Sequence, residues 1–100
     1  MPFLAVARLE EVPPGTVKRV QAGEEEVALA NVDGELYATQ GHCLHLQGPL
    51  AEGRLDGTFL TCPWHGWRYD LRTGLNDFDH AIRLRTFEVR VEDGEIEIAV

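Results

Sequence analysis

The chain has 100 residues, which is enough for one hydrophobic core and too few for two. Its 17 acidic residues outnumber its 9 basic residues and give a formal net charge of −8, so its surface repels nucleic acid phosphates and anionic lipid headgroups. These figures exclude a multidomain protein and argue against nucleic acid or membrane partners.

Turn signals divide the first third of the chain into short strands. Apolar and polar residues alternate over 16–20 and again over 26–32, as they do in half-buried strands. The pair Asp-Gly follows the second run at 33–34 and occurs again at 56–57 and 93–94. Because Asp-Gly suits the positive φ angles of a two-residue type I′ turn, we predict three antiparallel hairpins.

Residues 42–76 have a different composition and are expected to form long loops. Glycine and proline cluster here around both cysteines and three of the four histidines. Long ordered loops in a small domain usually carry function, because they give up regular backbone pairing and need another source of order. A bound metal centre would supply it.

The last hairpin has the strongest strand pattern. Residues 85–91 and 95–100 alternate with period two, which places Phe87, Val89 and Val91 on one face. We predict that this face belongs to the core.

The expected compartment is the cytoplasm. The residues around Phe3 lack the basic region of an export signal, and no apolar run approaches the roughly 18 residues that span a bilayer. Cys43 and Cys62 are the only cysteines, far fewer than in a disulfide-stapled secreted domain. In a reducing compartment they are thiols or metal ligands.

Two pairs of ligand-type residues stand out in the loop segment. They are Cys43 with His45 and Cys62 with His65, and the 16 residues 46–61 separate them. Each pair offers one thiolate and one imidazole. The hairpin predicted within 46–61 returns the chain on itself, so all four side chains can converge at one end of a sheet.

Mixed pairs favour iron over zinc, although both readings remain open. Structural zinc sites typically pair Cys with Cys and His with His. One Cys and one His in each loop suit a two-iron cluster in which cysteines hold one iron and histidines hold the other. A disulfide between the cysteines would leave both histidines unexplained.

At these residues the sequence resembles the Rieske family, whose two boxes have the form Cys-x-His and Cys-x-x-His. The second box reads Cys-Pro-Trp-His-Gly-Trp-Arg-Tyr-Asp over 62–70 and is followed by Arg-Thr-Gly at 72–74. In this form it is similar to the small ferredoxins that serve bacterial aromatic ring-hydroxylating dioxygenases.

The resemblance implies an all-β Rieske fold, an antiparallel β-sandwich of three sheets in one domain spanning 1–100. A base formed by 1–41 and 77–100 would carry an inserted cluster-binding subdomain at about 42–76.

The same resemblance implies the ligands of one 2Fe-2S cluster. Cys43 and Cys62 would hold the inner iron, and His45 and His65 the outer iron.

The resemblance further implies how the surroundings of the cluster tune it. Tyr69 matches a position whose hydroxyl reaches a cysteine sulfur. High-potential members carry two disulfide cysteines and a serine where this chain has Gly48, Trp64 and Trp67. Since this chain lacks the serine hydroxyl that bonds a bridging sulfide, and its acidic surface opposes the added electron, we expect a reduction potential of about −150 mV, the low end of the Rieske range.

Three further features concern the surroundings of the boxes. Gln47 occupies a place often held by glycine, and residues 77–82 lack the proline that often covers the cluster. Arg68 and Asp70 are expected to form a local salt bridge or a turn contact, and not to take part in chemistry.

The function implied by the resemblance is that of a one-electron carrier without catalytic activity of its own. It would be a monomer that takes electrons from a flavin-dependent reductase and passes them to a terminal oxygenase in brief contacts. Two alternatives remain: the small subunit of an NADH-dependent nitrite reductase, and, from a different class, a zinc-stabilised interaction module.

Overall fold

The protein is almost entirely β-structure in antiparallel sheets. The computed structural model describes residues 2–44, 47–64 and 66–100. Ten strands lie in these ranges: β1 (Phe3–Arg8), β2 (Val17–Ala22), β3 (Glu25–Val32), β4 (Glu35–Gln40), β5 (Arg54–Asp56), β6 (Phe59–Thr61), β7 (Arg68–Asp70), β8 (Thr86–Phe87), β9 (Val89–Glu92) and β10 (Glu95–Ala99). Two single 3-10 turns interrupt them at Leu9–Glu11 and Leu50–Glu52. Neither these turns nor any other described helix is long and apolar enough to cross a membrane.

The strands form three sheets, as the sequence predicts. Their orders are β1-β10-β9, β2-β3-β4-β8 and β5-β6-β7, and every pairing is antiparallel. The predicted all-β three-sheet architecture is therefore confirmed. The division into a base and a subdomain at about residues 42 and 76 stays a prediction.

Strand β3 lies between two hydrophobic cores because its side chains alternate between the faces of the central sheet. Ala28 and Ala30 pack into a core that also contains both cysteines. Val27 and Leu29 pack into a second core with Ile96 and Ile98 of β10. Fully burying a side chain such as Leu29 stabilises the fold by about 1.5–3 kcal/mol. The central sheet thus fixes the other two relative to each other.

All three predicted antiparallel hairpins form, and two of them have the expected turn type. Asp33 and Asp93 have φ of 52°, and the glycine after each is also positive, as type I′ requires. The expected turn type is wrong at the second pair, because Asp56 pairs with Phe59 as the last residue of β5. The two turn residues there begin at Gly57 (φ 60°), and a positive φ at the first turn position alone indicates type II′.

The predicted core face of the last hairpin needs one correction. Phe87 and Val89 are partly buried against the second core, whereas Val91 is 43% exposed. Val91 pairs with the buried Ile96, but β9 is the edge strand of its sheet, so the Val91 side chain extends past the core. The alternation also crosses two sheets, since Phe87 belongs to β8 and Val89 to β9.

Two glycines with similar φ provide a test of close packing. Gly34 (φ 95°) has open space around it, whereas a Cβ on Gly74 (φ 83°) would overlap the carbonyl oxygen of Leu84. We expect Gly34→Ala to lower the free energy of unfolding by about 1 kcal/mol, and Gly74→Ala to lower it by a further ~1–3 kcal/mol. Urea denaturation followed by circular dichroism measures both, and equal losses would contradict the packing argument.

Candidate metal centre

The two cysteines begin loops that are closed in the same way. The first loop (43–48) follows β4, and the second loop (62–67) joins β6 to β7. The N–H of Cys43 donates to the carbonyl of Gly48 at 2.8 Å, and the N–H of Cys62 donates to the carbonyl of Trp67 at 2.7 Å. Each cysteine is thereby fixed at the base of its loop.

The loops meet at the sulfur of Cys62. Neither Cys43 nor Cys62 is part of a disulfide, and each is 1% exposed. A Cβ added to Gly48 of the first loop would lie 2.6 Å from the Cys62 Sγ, so only glycine leaves this space clear. A side chain at position 48 would push the loops apart.

Each sulfur has a hydrogen-bonding neighbour. The hydroxyl of the fully buried Tyr69 lies 3.1 Å from the Cys43 Sγ, which confirms the expectation that it reaches a cysteine sulfur. The N–H of Trp64 donates to the Cys62 Sγ at 3.4 Å. Both donors would stabilise negative charge on sulfur.

Burial opposes ionisation of these groups in the absence of a cation. It is the main reason that the pKa of Cys62 is raised; the Cys43 thiol raises it further and the Trp64 N–H partly opposes the rise. Burial, followed by Cys43, also raises the pKa of Tyr69. A bound metal cation would compensate for the lost solvation, because a coordinating thiol loses its proton. The paired thiols therefore suit a metal centre.

The histidines of the predicted ligand set, His45 and His65, lie outside the described residues, so their role stays a prediction. Within 2–44, 47–64 and 66–100, no group of three or more His, Cys, Asp or Glu side chains is arranged to hold a metal ion. Of the four predicted ligands, the structure brings together the two cysteines.

The first loop is anchored by residues that the sequence did not single out. Glu26 of β3 accepts a hydrogen bond from the Gly41 N–H through its carbonyl at 2.9 Å, and its carboxylate lies 2.9 Å from His42 Nε2. The amide of Gln40 donates to the carbonyl of His42 and accepts from the N–H of Arg85, each at 2.9 Å. Glu26 and Arg85 are distant in sequence from this loop, so no local motif indicates these contacts.

Gln47 explains why glycine is common at its position. Its φ is 61°, in the left-handed region that glycine adopts without strain.

The expected salt bridge between Arg68 and Asp70 is wrong. Asp70 pairs with Arg72 at 2.9 Å, within a tight turn after β7. Arg68 instead stacks over the ring of Phe59, 4.6 Å from its centroid, and its Nε lies 3.6 Å from Asp77. Side chains two residues apart on a strand share a face, but the turn offers Asp70 a partner with better geometry.

Comparisons with known proteins point to one family. The family model described as Rieske [2Fe-2S] domain matches residues 3–88. The ferredoxin CarAc of Metapseudomonas resinovorans is 35% identical over 97% of this chain and 92% of its own length. The biphenyl dioxygenase ferredoxin subunit of Pseudomonas sp. strain KKS102 is 35% identical over 96% of this chain and 90% of its own.

Comparison with solved structures agrees with the sequence comparisons. In a complex of reduced oxygenase and oxidised ferredoxin of carbazole 1,9a-dioxygenase, one chain matches with a TM-score of 0.88 and 35% identity, over 97% of this chain and 92% of that one. A nitrite reductase small subunit, itself assigned only provisionally, matches with a TM-score of 0.86 over the full length of both chains. Its 22% identity shows the shared fold alone.

The buried position of Tyr69 predicts resistance to alkaline ionisation. In a Tyr37→Phe variant Tyr69 is the sole tyrosine, and its absorbance change should begin only well above the ordinary tyrosine pKa of about 10. Because the folded-state pKa is raised, the associated stability is present below pH ~10 and is lost as the pH rises above it. A titration midpoint of Tyr69 near pH 10 in the folded protein would contradict the conclusion that burial raises its pKa.

Proposed function

This chain belongs to the Rieske [2Fe-2S] domain family, and we propose that Cys43, His45, Cys62 and His65 hold one 2Fe-2S cluster in a one-electron carrier. The observation that carries this proposal is the pair of buried thiols that two identically closed loops bring together. When bound, such a cluster accepts and releases one electron at a higher potential than a cluster with four cysteines.

The residues present fit a group of this kind. The space beside the Cys62 Sγ is kept open by Gly48, the Tyr69 hydroxyl lies within reach of the Cys43 Sγ, and the Trp64 N–H donates to the Cys62 Sγ. Donors at these positions favour thiolates over thiols, while burial excludes water from them. The chain's own contribution is thus a dry pocket with hydrogen-bond donors directed at sulfur.

We assign the cluster to a subdomain at about 42–76, on a base formed by 1–41 and 77–100. This division is supported by β5, β6 and β7, which form a sheet of their own inside that range. The chain then returns through β8 to the sheet that holds β2, β3 and β4.

The partners we propose are a flavin-dependent reductase as donor and a ring-hydroxylating oxygenase as acceptor. The relative from Pseudomonas sp. is by name the ferredoxin subunit of a biphenyl dioxygenase, the relative from M. resinovorans is by name a ferredoxin, and a similar chain occurs in the complex of oxygenase and ferredoxin of carbazole 1,9a-dioxygenase. The net charge of −8 would steer encounters with basic partner surfaces. We propose the cytoplasm as the compartment, because it keeps cysteines such as these reduced.

The ligand assignment is tested by histidine substitution. His65→Ala should abolish the rhombic electron paramagnetic resonance signal of the reduced protein, because the outer iron loses a ligand. His80→Ala is the matched control and should retain the signal, iron and acid-labile sulfide. An unchanged signal in His65→Ala would remove His65 from the ligand set, and wild-type protein without iron and sulfide would overturn the function.

The Tyr69 hydroxyl should raise the reduction potential of the loaded protein. Tyr69→Phe removes the hydroxyl that lies 3.1 Å from the Cys43 Sγ, so the added electron is less stabilised. We expect the potential to fall by on the order of tens of millivolts, the equivalent of one modest hydrogen bond. Redox titration measures the change, with Tyr37→Phe as the control, and equal potentials would contradict this role.

A further inference from the structure

Residues 77–82, called the strap here, form a compact turn organised by one buried side chain. Asn76 is fully buried, and its Oδ1 accepts hydrogen bonds from the N–H groups of Phe78 at 3.0 Å and Asp79 at 3.1 Å. The N–H of Asn76 donates to the carbonyl of Ile82 at 2.9 Å, which closes the strap at its base. This construction takes the place of the proline that the family often has here.

The strap is held against the second loop. The N–H of Asp77 donates to the carbonyl of Arg68 at 3.0 Å, and the two side chains lie 3.6 Å apart. The Phe78 ring packs edge-on against Trp67, with centroids 5.0 Å apart at 88°. Trp67 in turn closes the second loop through its bond with Cys62. The strap therefore has a fixed position beside the metal centre.

Phe78 nevertheless leaves most of its ring in water. It is 62% exposed, the largest value among the exposed large hydrophobic side chains of the described residues. Leu44 and Trp64, on the two metal-binding loops, are also about half exposed. A single exposed apolar side chain is ordinary. This one is held in place by backbone bonds and a ring contact, which lowers the entropy that it would lose on binding.

We propose that Phe78 is a specificity-determining anchor for the electron acceptor and that Asn76 is the residue that positions it. This inference rests on the proposed function. Asp77 and Asp79, the neighbours of Phe78 in the sequence, are both exposed, and Asp77 also lies 3.6 Å from Arg68. The complementary surface is therefore an apolar pocket with Arg or Lys at its rim, on the oxygenase.

The first test compares Phe78→Ala with Val91→Ala, an exposed apolar residue on the sheet that packs against the other core. The acceptor is the oxygenase of carbazole, biphenyl or naphthalene dioxygenase that the wild-type protein reduces. Phe78→Ala should raise the KM for the carrier about tenfold and leave kcat within about twofold, because it removes binding energy and not chemistry. Val91→Ala should change neither, and both variants should keep the wild-type potential and resonance signal.

The second test concerns Asn76. Asn76→Ala removes the oxygen that accepts the hydrogen bonds of the strap and should raise the KM as Phe78→Ala does. Asn76→Asp keeps an acceptor oxygen at this position and should keep the KM close to the wild-type value. If Phe78→Ala behaves like Val91→Ala with an oxygenase that the wild type reduces, the anchor is refuted and the carrier function stands. If the wild type reduces none of the three oxygenases, both the anchor role of Phe78 and the proposed function as a carrier to such oxygenases are overturned.

Discussion

The metal centre depends on a backbone hydrogen bond made twice, from the N–H of a cysteine to a carbonyl five residues later. This bond brings each loop back to its starting point and holds the cysteine at its base, where the sulfur is buried. Cys43 and Cys62 follow strands of different sheets, β4 and β6, and Gly48 lets the loops touch without a side chain between them. Ligands from two distant segments can therefore share one site with little freedom left to lose on binding.

The rest of the fold supplies rigidity to those loops. Strand β3 has a core on each face, and its Glu26 holds the start of the first loop. Gln40 joins that loop to Arg85, just ahead of β8, so the segment after the strap is tied to the segment before the first cysteine. Displacement of the first loop would therefore disturb the segment around Arg85 through these contacts. For an electron carrier, a rigid site keeps the rearrangement that accompanies each charge change small.

Local pattern was sufficient for the hairpins, and the motifs of the two boxes were needed for the three-sheet architecture. The Asp-Gly pairs at 33–34 and 93–94 predict their turns because φ preferences are local. The exposure of Val91 was not predicted, because strand alternation does not say where a sheet ends. The roles of Asn76 and Gln40 could not be predicted either, since Asn76 acts through its burial and Gln40 through Arg85, which only the folded chain brings close.

The strap leaves and re-enters the fold at a single point, the bond between Asn76 and Ile82. Its five outermost residues are exposed and contribute to neither hydrophobic core. Insertions, deletions and exchanges in this segment would therefore leave the sheets intact. The sequence of this segment could therefore diverge during evolution and change the electron-transfer partner, while the residues that bind iron stayed the same.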